Sequence, residues 1–177
     1  MSTEIPSPSE KTENVQKQVW PEWVYPYPAG IIGGLLGGAA IALVGIGYGL
    51  ISGKGIWLPV NLVAATALRA MQSQSLESLM QFNVAALVVG LVIHITMSIG
   101  LGEVFSFILP ALPGRPLYWG PVIGPMLLIG ATIAALPIVN PVMVRNVDLT
   151  SFALANVLYG LLLGWWIDRT PLIHMTS

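Results

Sequence analysis

Residues 30–49 read GIIGGLLGGAAIALVGIGYG. The stretch is about 20 residues long and carries no charge, enough to cross a bilayer core as a helix. Its glycines recur at four-residue intervals: Gly30 with Gly34, Gly33 with Gly37, Gly34 with Gly38, Gly45 with Gly49. In water each interior glycine weakens a helix by about 1 kcal/mol relative to alanine. In lipid the same glycines bare a strip of backbone that a second helix can approach closely. The pattern predicts an integral membrane protein built on tight helix–helix contact, with Gly30, Gly33, Gly34, Gly37, Gly38, Gly45 and Gly49 as packing surface.

The composition agrees with that reading. The chain has 177 residues, 55% hydrophobic and only 8% charged, whereas soluble domains average about 25% charged. A net charge of −1 supplies no basic field for nucleic acid. The absence of cysteine excludes disulfides, thiolate chemistry and Cys-ligated metal.

Working outward, residues 1–18 are rich in Pro, Ser, Glu and Lys and are expected to be disordered alone. They do not resemble a secretory signal peptide, so targeting is expected from the first span. Residues 19–29, VWPEWVYPYPA, place Trp20, Trp23, Tyr25 and Tyr27 among prolines. Amphipathic rings favour the headgroup level, which predicts a polar tail and Pro/aromatic interfacial arm over 1–28 ahead of a membrane domain at 29–177. The sharper alternative is a stiff aromatic strap across a neighbouring subunit.

Four spans are predicted, at about 29–51, 83–109, 117–139 and 151–167. A short helix at about 62–71, interfacial or re-entrant, is expected between the first two, with Pro59 opening it and Asn61 as a cap. Glu77 is read into the first turn of a second span that begins between 76 and 84. Continuous from 76 to 109, that helix would reach about 50 Å, too long for a hydrocarbon core of about 30 Å; it must project or bend. In the third span Gly120 and Gly124 form another small-residue pair, and Pro125 and Pro137 free backbone carbonyls that need partners. Thr150 or Ser151 is read as the cap of the fourth span. Trp57, Trp119, Trp165 and Trp166, with Trp20 and Trp23, are read as interfacial anchors. The fold class is therefore all-α integral membrane, four helices plus one short one.

An even number of spans puts both ends on one side. Lys11, Lys17, Arg115 and Arg169 fall there, and Lys54, Arg69 and Arg145 on the other. The balance leans to cytoplasmic termini in a bacterial-type inner membrane. Pro59-Val60-Asn61 after span one and Pro137-Ile138-Val139-Asn140 after span three hint at a two-plus-two repeat.

Two intramembrane ionisable residues stand out, His94 and Glu103; groups at that depth are functional hypotheses. His94 is the one weak cofactor candidate. A neutral imidazole could ligate a haem or chlorin, relay a proton, or bridge helices; the ordinary reading is a bond to a Ser, a Thr or a backbone carbonyl, with Ser98 one turn away. The only other histidine, His174, lies past the last span, which argues against a bis-His haem. Glu103 falls on the opposite helix face, with Arg115 or Trp119 as expected donors. No cofactor, metal site or enzymatic activity is implied: there is no two-histidine set, no Ser-His-Asp set and no paired carboxylates. Arg69, Glu77, Arg145 and Asp148 are read as solvated charges, and the methionines as packing.

The expected role is a small accessory subunit of a larger membrane complex, in a respiratory or photosynthetic electron-transfer setting, with lipids and other membrane subunits as partners. The alternative is an oligomeric small-solute or ion channel or transporter, for which Asn61, His94, Glu103 and Asn140 are the main coordinating groups.

Overall fold

The computed structural model describes residues 23–174. The polar tail, Trp20 and the start of the aromatic arm lie outside the described residues. Strand β1 is Trp23–Val24, followed by helix α1, Tyr27–Ile51, α2, Trp57–Ala64, a 3₁₀ turn, Arg69–Ser73, and α3, Leu76–Leu79. Then come α4, Val84–Ile108, a 3₁₀ turn at Leu109–Ala111, α5, Pro116–Val139, α6, Pro141–Asn146, α7, Leu149–Ile167, and β2, Ile173–His174. Among the described residues, helices α1, α4, α5 and α7 are the four long enough and apolar enough to cross a membrane.

Local chemistry sets the ends. Proline in the first turn opens α1 and α5, where a missing N–H is harmless and φ is already helical. Helix α1 stops in a turn containing Gly53 and Gly55, whose φ values of 72° and 76° glycine alone adopts freely. Asn83 caps α4 through a 3.0 Å bond from Ala86 N. Asp148, rather than Thr150 or Ser151, caps α7, accepting from Ser151 N at 2.7 Å. A carboxylate satisfies an orphan N–H and also complements the positive end of the helix.

The short helix between the first two spans departs from expectation. It occupies Trp57–Ala64, not 62–71. Asn61 sits inside it rather than at a cap, and Pro59 lies in its first turn. The helix ends because side chains claim its next carbonyls. Leu62 O accepts from Asn140 Nδ2 at 2.7 Å, and Ala65 O from Gln72 Nε2 at 2.9 Å. The backbone donors then fold back, Thr66 N to Val63 O and Arg69 N to Ala67 O. Glu77 belongs to the separate one-turn α3, capped by Ser75. The break at 80–83 removes the excess length that a continuous helix from 76 to 109 would have had.

The long helices pack in the order α4–α1–α7–α5. Helix α1 lies against α4 and α7, and α7 against α1 and α5, while α4 and α5, consecutive in the chain, barely touch. The arrangement is an open row rather than a closed ring. Strands β1 and β2 pair antiparallel, Trp23 opposite His174 and Val24 opposite Ile173. This joins the two described ends and, among the described residues, is the one strand pairing in an otherwise helical fold.

Two apolar clusters hold the row. One gathers the short elements: Leu58, Leu62, Met71, Leu79, Ala86 and Val142. The other, toward the paired ends, holds Ala29, Phe105, Leu109, Tyr159, Leu163 and Ile167.

Candidate functional site

The glycine ridge of α1 splits into two adjacent strips, each with its own neighbour. Gly30, Gly34 and Gly38 face α4. A Cβ at Gly30 would crowd Glu103 and Ser106, one at Gly34 would strike the Ser98 carbonyl, and one at Gly38 would overlap the Ser98 side chain. Gly33 and Gly37 face α7, against Leu163 and Tyr159. Helical geometry accounts for the split: residues four apart advance only about 40° around the axis and share a strip, whereas successive residues such as Gly33 and Gly34 lie about 100° apart.

Gly45 has only an ordinary contact, with Pro59. Gly49 is a correction. The atom that its Cβ would strike is the carbonyl of Gly55, and Gly55 N donates to Gly49 O at 2.9 Å. Gly49 thus serves the turn after α1 rather than a helix–helix contact.

Helices α5 and α7 meet through a second set. Gly120 and Gly160 each lie where a Cβ on the other would collide with backbone, Gly124 approaches Gly160, and Gly164 lies against Pro116 O. The spacing of Gly160 and Gly164 on α7 was a legible small-residue signal that the reading of α5 alone did not use. So was Ser98, Gly102 and Ser106 on α4, which share one face at four-residue spacing. Tyr159 is the other missed element. Its ring passes over Gly37, and its hydroxyl donates to Ser98 O at 2.8 Å, so one side chain of α7 reaches across α1 to α4.

The buried amides close the opposite end. Asn61 Nδ2 donates to Leu79 O at 2.7 Å and Gln81 O at 2.8 Å. Asn140 Nδ2 donates to Leu62 O and to Thr66 Oγ1 at 2.9 Å, while its Oδ1 accepts from Met143 N at 3.1 Å and caps α6. Gln72 Nε2 also bonds Val139 O at 2.8 Å. Both asparagines lie at 1% exposure or less. Their hydrogen bonds are spent on backbone and on the Thr66 hydroxyl, which leaves Asn61 and Asn140 little to offer a permeating solute. The two Pro–Asn stretches also play different roles, one inside α2 and one capping α6.

His94 Nε2 lies 2.8 Å from Gly38 O. A carbonyl can only accept, so Nε2 carries the proton and a neutral ring leaves Nδ1 as acceptor. The partner is a backbone carbonyl of α1, not Ser98. A metal-bearing cofactor would have to use Nδ1 or displace this bond. Among the described residues, no three His, Cys, Asp or Glu groups are placed to hold a metal ion. His94→Phe is expected to lower stability by about 1 kcal/mol, the usual net worth of one hydrogen bond. Thermal unfolding in detergent measures it; a loss several times larger would show that the ring does more than bridge α1 and α4.

Glu103 lies over Gly30, and its Oε1 is buried without a hydrogen-bond partner. Neither expected donor reaches it. Trp119 Nε1 donates to Pro113 O at 2.7 Å, and Arg115 is engaged by Asp168 through Nε at 3.1 Å and Nη2 at 2.5 Å. His94 and Glu103 contact different stations of α1, Gly38 and Gly30, so the structure does not bring them together.

The tryptophans divide by environment. Trp57 stacks tilted on Phe82 at 4.7 Å, and Trp23 meets His174 edge-on at 5.1 Å. Trp165 is exposed and carries Arg169 over its ring at 4.1 Å. Trp166 packs half-buried against the inner cluster, with its Nε1 buried. Trp20 lies outside the described residues.

The Arg115–Asp168 pair ties the start of α5 to the end of α7. Hydrogen bonds from Arg115 hold the Asp168 carboxyl below the usual range; the charges of Arg115 and Arg169 add to this, and burial opposes it. A depressed carboxylate stabilises the fold above its unfolded pKa of about 4. That contribution is lost as pH falls through the lower folded value. Asp168→Asn is therefore expected to lower the unfolding midpoint slightly at neutral pH, since Arg115 is mostly exposed and such pairs are screened. Below the folded pKa it should make no difference. Unfolding midpoints of both proteins across the acid range test this; parallel curves would sink it.

No family model matches the chain, and no curated protein or solved structure shows significant similarity to it.

Proposed function

We propose that the chain is an integral membrane protein, both ends on the cytoplasmic side of a bacterial-type inner membrane, serving as an accessory subunit of a larger complex. An energy-transducing assembly, respiratory or photosynthetic, is the commonest setting for such a subunit. The observation that carries this is the state of α5. It has one substantial long-helix neighbour, α7, and leaves Tyr118, Val122, Met126, Ile133 and Ile138 exposed. Pro121, Pro125 and Pro137 lie inside it. They deprive the carbonyls of Leu117, Pro121 and Ile133 of their regular donors, and in lipid such carbonyls need a partner. The nearby side-chain donors, Trp119 and Arg115, are committed elsewhere. A second protein on α5 would supply both cover and donors. Gly130, and Gly100 on α4, have no atom within 4 Å of a Cβ position, which leaves thin outward patches for close approach.

Gly30, Gly33, Gly34, Gly37 and Gly38 of α1 do not add to this argument, because α4 and α7 of the same chain use them. The channel reading has less support: the amides of Asn61 and Asn140 are bonded to backbone, and His94 and Glu103 lie apart.

The test is purification from native membranes. The chain should stay with membranes through an alkaline carbonate wash and elute in mild detergent with other subunits at fixed stoichiometry. Release by the wash would overturn the membrane placement; elution as a free monomer would overturn the accessory role.

A further inference from the structure

A cavity of about 410 Å³ opens between α1, α2, α4 and the start of α7. Its size falls within the range of about 300–1,000 Å³ typical of ligand sites. It is lined along α1 from Ile41 to Gly49 and along α4 from Leu87 to His94. Eight residues of α1 rise about 12 Å, close to the depth of one leaflet's hydrocarbon, half of about 30 Å.

The walls are apolar over nearly their whole extent, with residues such as Val44, Leu58, Val63 and Phe152. The polar lining is confined to the two ends. At the deep end stands His94, already bonded to Gly38 O. At the shallow end are Tyr48, Asn146, Asp148 and Ser151. Lys54 sits on this rim, its ammonium 3.3 Å from Tyr48 Oη. Asp148 is held below the usual carboxylate range, first by its hydrogen bonds from Ser151, with the charge of Lys54 adding a smaller part. The mouth therefore presents one cation and one anion above a long dry slot.

We propose that this cavity takes one acyl chain of a zwitterionic phospholipid bearing a primary ammonium. The phosphate would be held at Lys54 and the Tyr48 hydroxyl, and the ammonium at the Asp148 carboxylate, one oxygen of which accepts from Ser151 N. A polar head at the rim and an apolar tail along α1 match the lining in order as well as in kind. A lipid with a single negative charge and no ammonium would set its excess charge against Asp148 with nothing to offset it. The inference rests on the membrane placement proposed above but not on the accessory role.

The experiment uses the full chain, delipidated in mild detergent and titrated with phosphatidylethanolamine or phosphatidylglycerol, with retained lipid counted by native mass spectrometry. One phosphatidylethanolamine should be retained at about tenfold lower concentration than phosphatidylglycerol, as one uncompensated charge at a surface site implies. Asp148→Asn keeps a capping side chain at the start of α7 and should abolish the preference for phosphatidylethanolamine or turn it toward phosphatidylglycerol. Ala42→Phe, which fills the cavity, should abolish retention of both while the protein elutes and unfolds as the wild type does. Equal retention of both lipids by the wild type would overturn the proposal. So would undiminished retention in a folded Ala42→Phe protein. If Ala42→Phe fails to fold, the Asp148→Asn comparison decides alone: a preference that survives it overturns the site. Failure of the membrane placement would appear separately, as release by the carbonate wash.

Discussion

Gly34→Leu is expected to leave no folded monodisperse protein. A Cβ at Gly34 already strikes the carbonyl of Ser98 and presses on the Cα of Ile99. Both are backbone atoms of α4, so no side chain can swing aside; the helices must separate. Separation breaks more than one contact, because Gly102 is fitted in turn against Gly30 O and the backbone of Gly34. It also pulls His94 from Gly38 O. Overpacking in a core ordinarily costs about 1–3 kcal/mol, and that range suits Gly34→Ala. For a chain of this size it lowers the unfolding midpoint by roughly 2–10 °C. The leucine adds three carbons in the same place, against a total stability of about 5–15 kcal/mol for a typical domain. Gly47→Ala is the control, since a Cβ there meets nothing within 4 Å. Size-exclusion profiles and thermal unfolding in detergent give the answer. A Gly34→Leu protein that behaves like the wild type would mean that α1 and α4 do not meet as described.

Asn140→Ala is the second large effect, expected at about 2–4 kcal/mol. The side chain does two jobs. Its oxygen caps α6, worth about 1 kcal/mol. Its amide serves Leu62 O and Thr66 Oγ1, and a buried acceptor left without a donor costs about 1–3 kcal/mol. Asn140→Asp separates the jobs: it keeps the capping oxygen and removes the donor, while placing a carboxylate against a carbonyl. The aspartate protein should therefore be no more stable than the alanine one. Loss of the Leu62 O bond should also loosen the turn after α2, so limited proteolysis should open first between residues 65 and 75. An Asn140→Asp protein as stable as the wild type would remove the amide from the account.

These two sites differ in how far the sequence disclosed them. The four long helices are legible because each is a long apolar run between charges, prolines or tryptophans, and the bilayer sets the expected length. The glycine strips of α1 are legible as packing surface from their spacing. Which helix meets which strip is not, since Gly33 and Gly34 are equally bare until α7 and α4 are in place. The short helix was misplaced for a related reason. Propensity favours the run 62–71, but its carbonyls are taken by Asn140 and Gln72, and the first of these donors is 78 residues away. Arg115 and Trp119 were within reach of Glu103 along the chain, yet each found a nearer acceptor. Local pattern fixes elements; it says little about polar bonds whose two halves come from opposite ends of the chain.

The open order α4–α1–α7–α5 carries a consequence for assembly. The first two long helices form one antiparallel hairpin and the last two another, each complete within its own half of the chain. The turn between the halves is a tether, because α4 and α5 scarcely meet across it. Hairpins made of sequence neighbours close early, whereas contacts of long sequence separation come late. The seam where Tyr159 crosses Gly37 is thus expected to be the last joint to seal, with two preformed halves coming together and the Trp23–His174 clasp drawing the described ends into register.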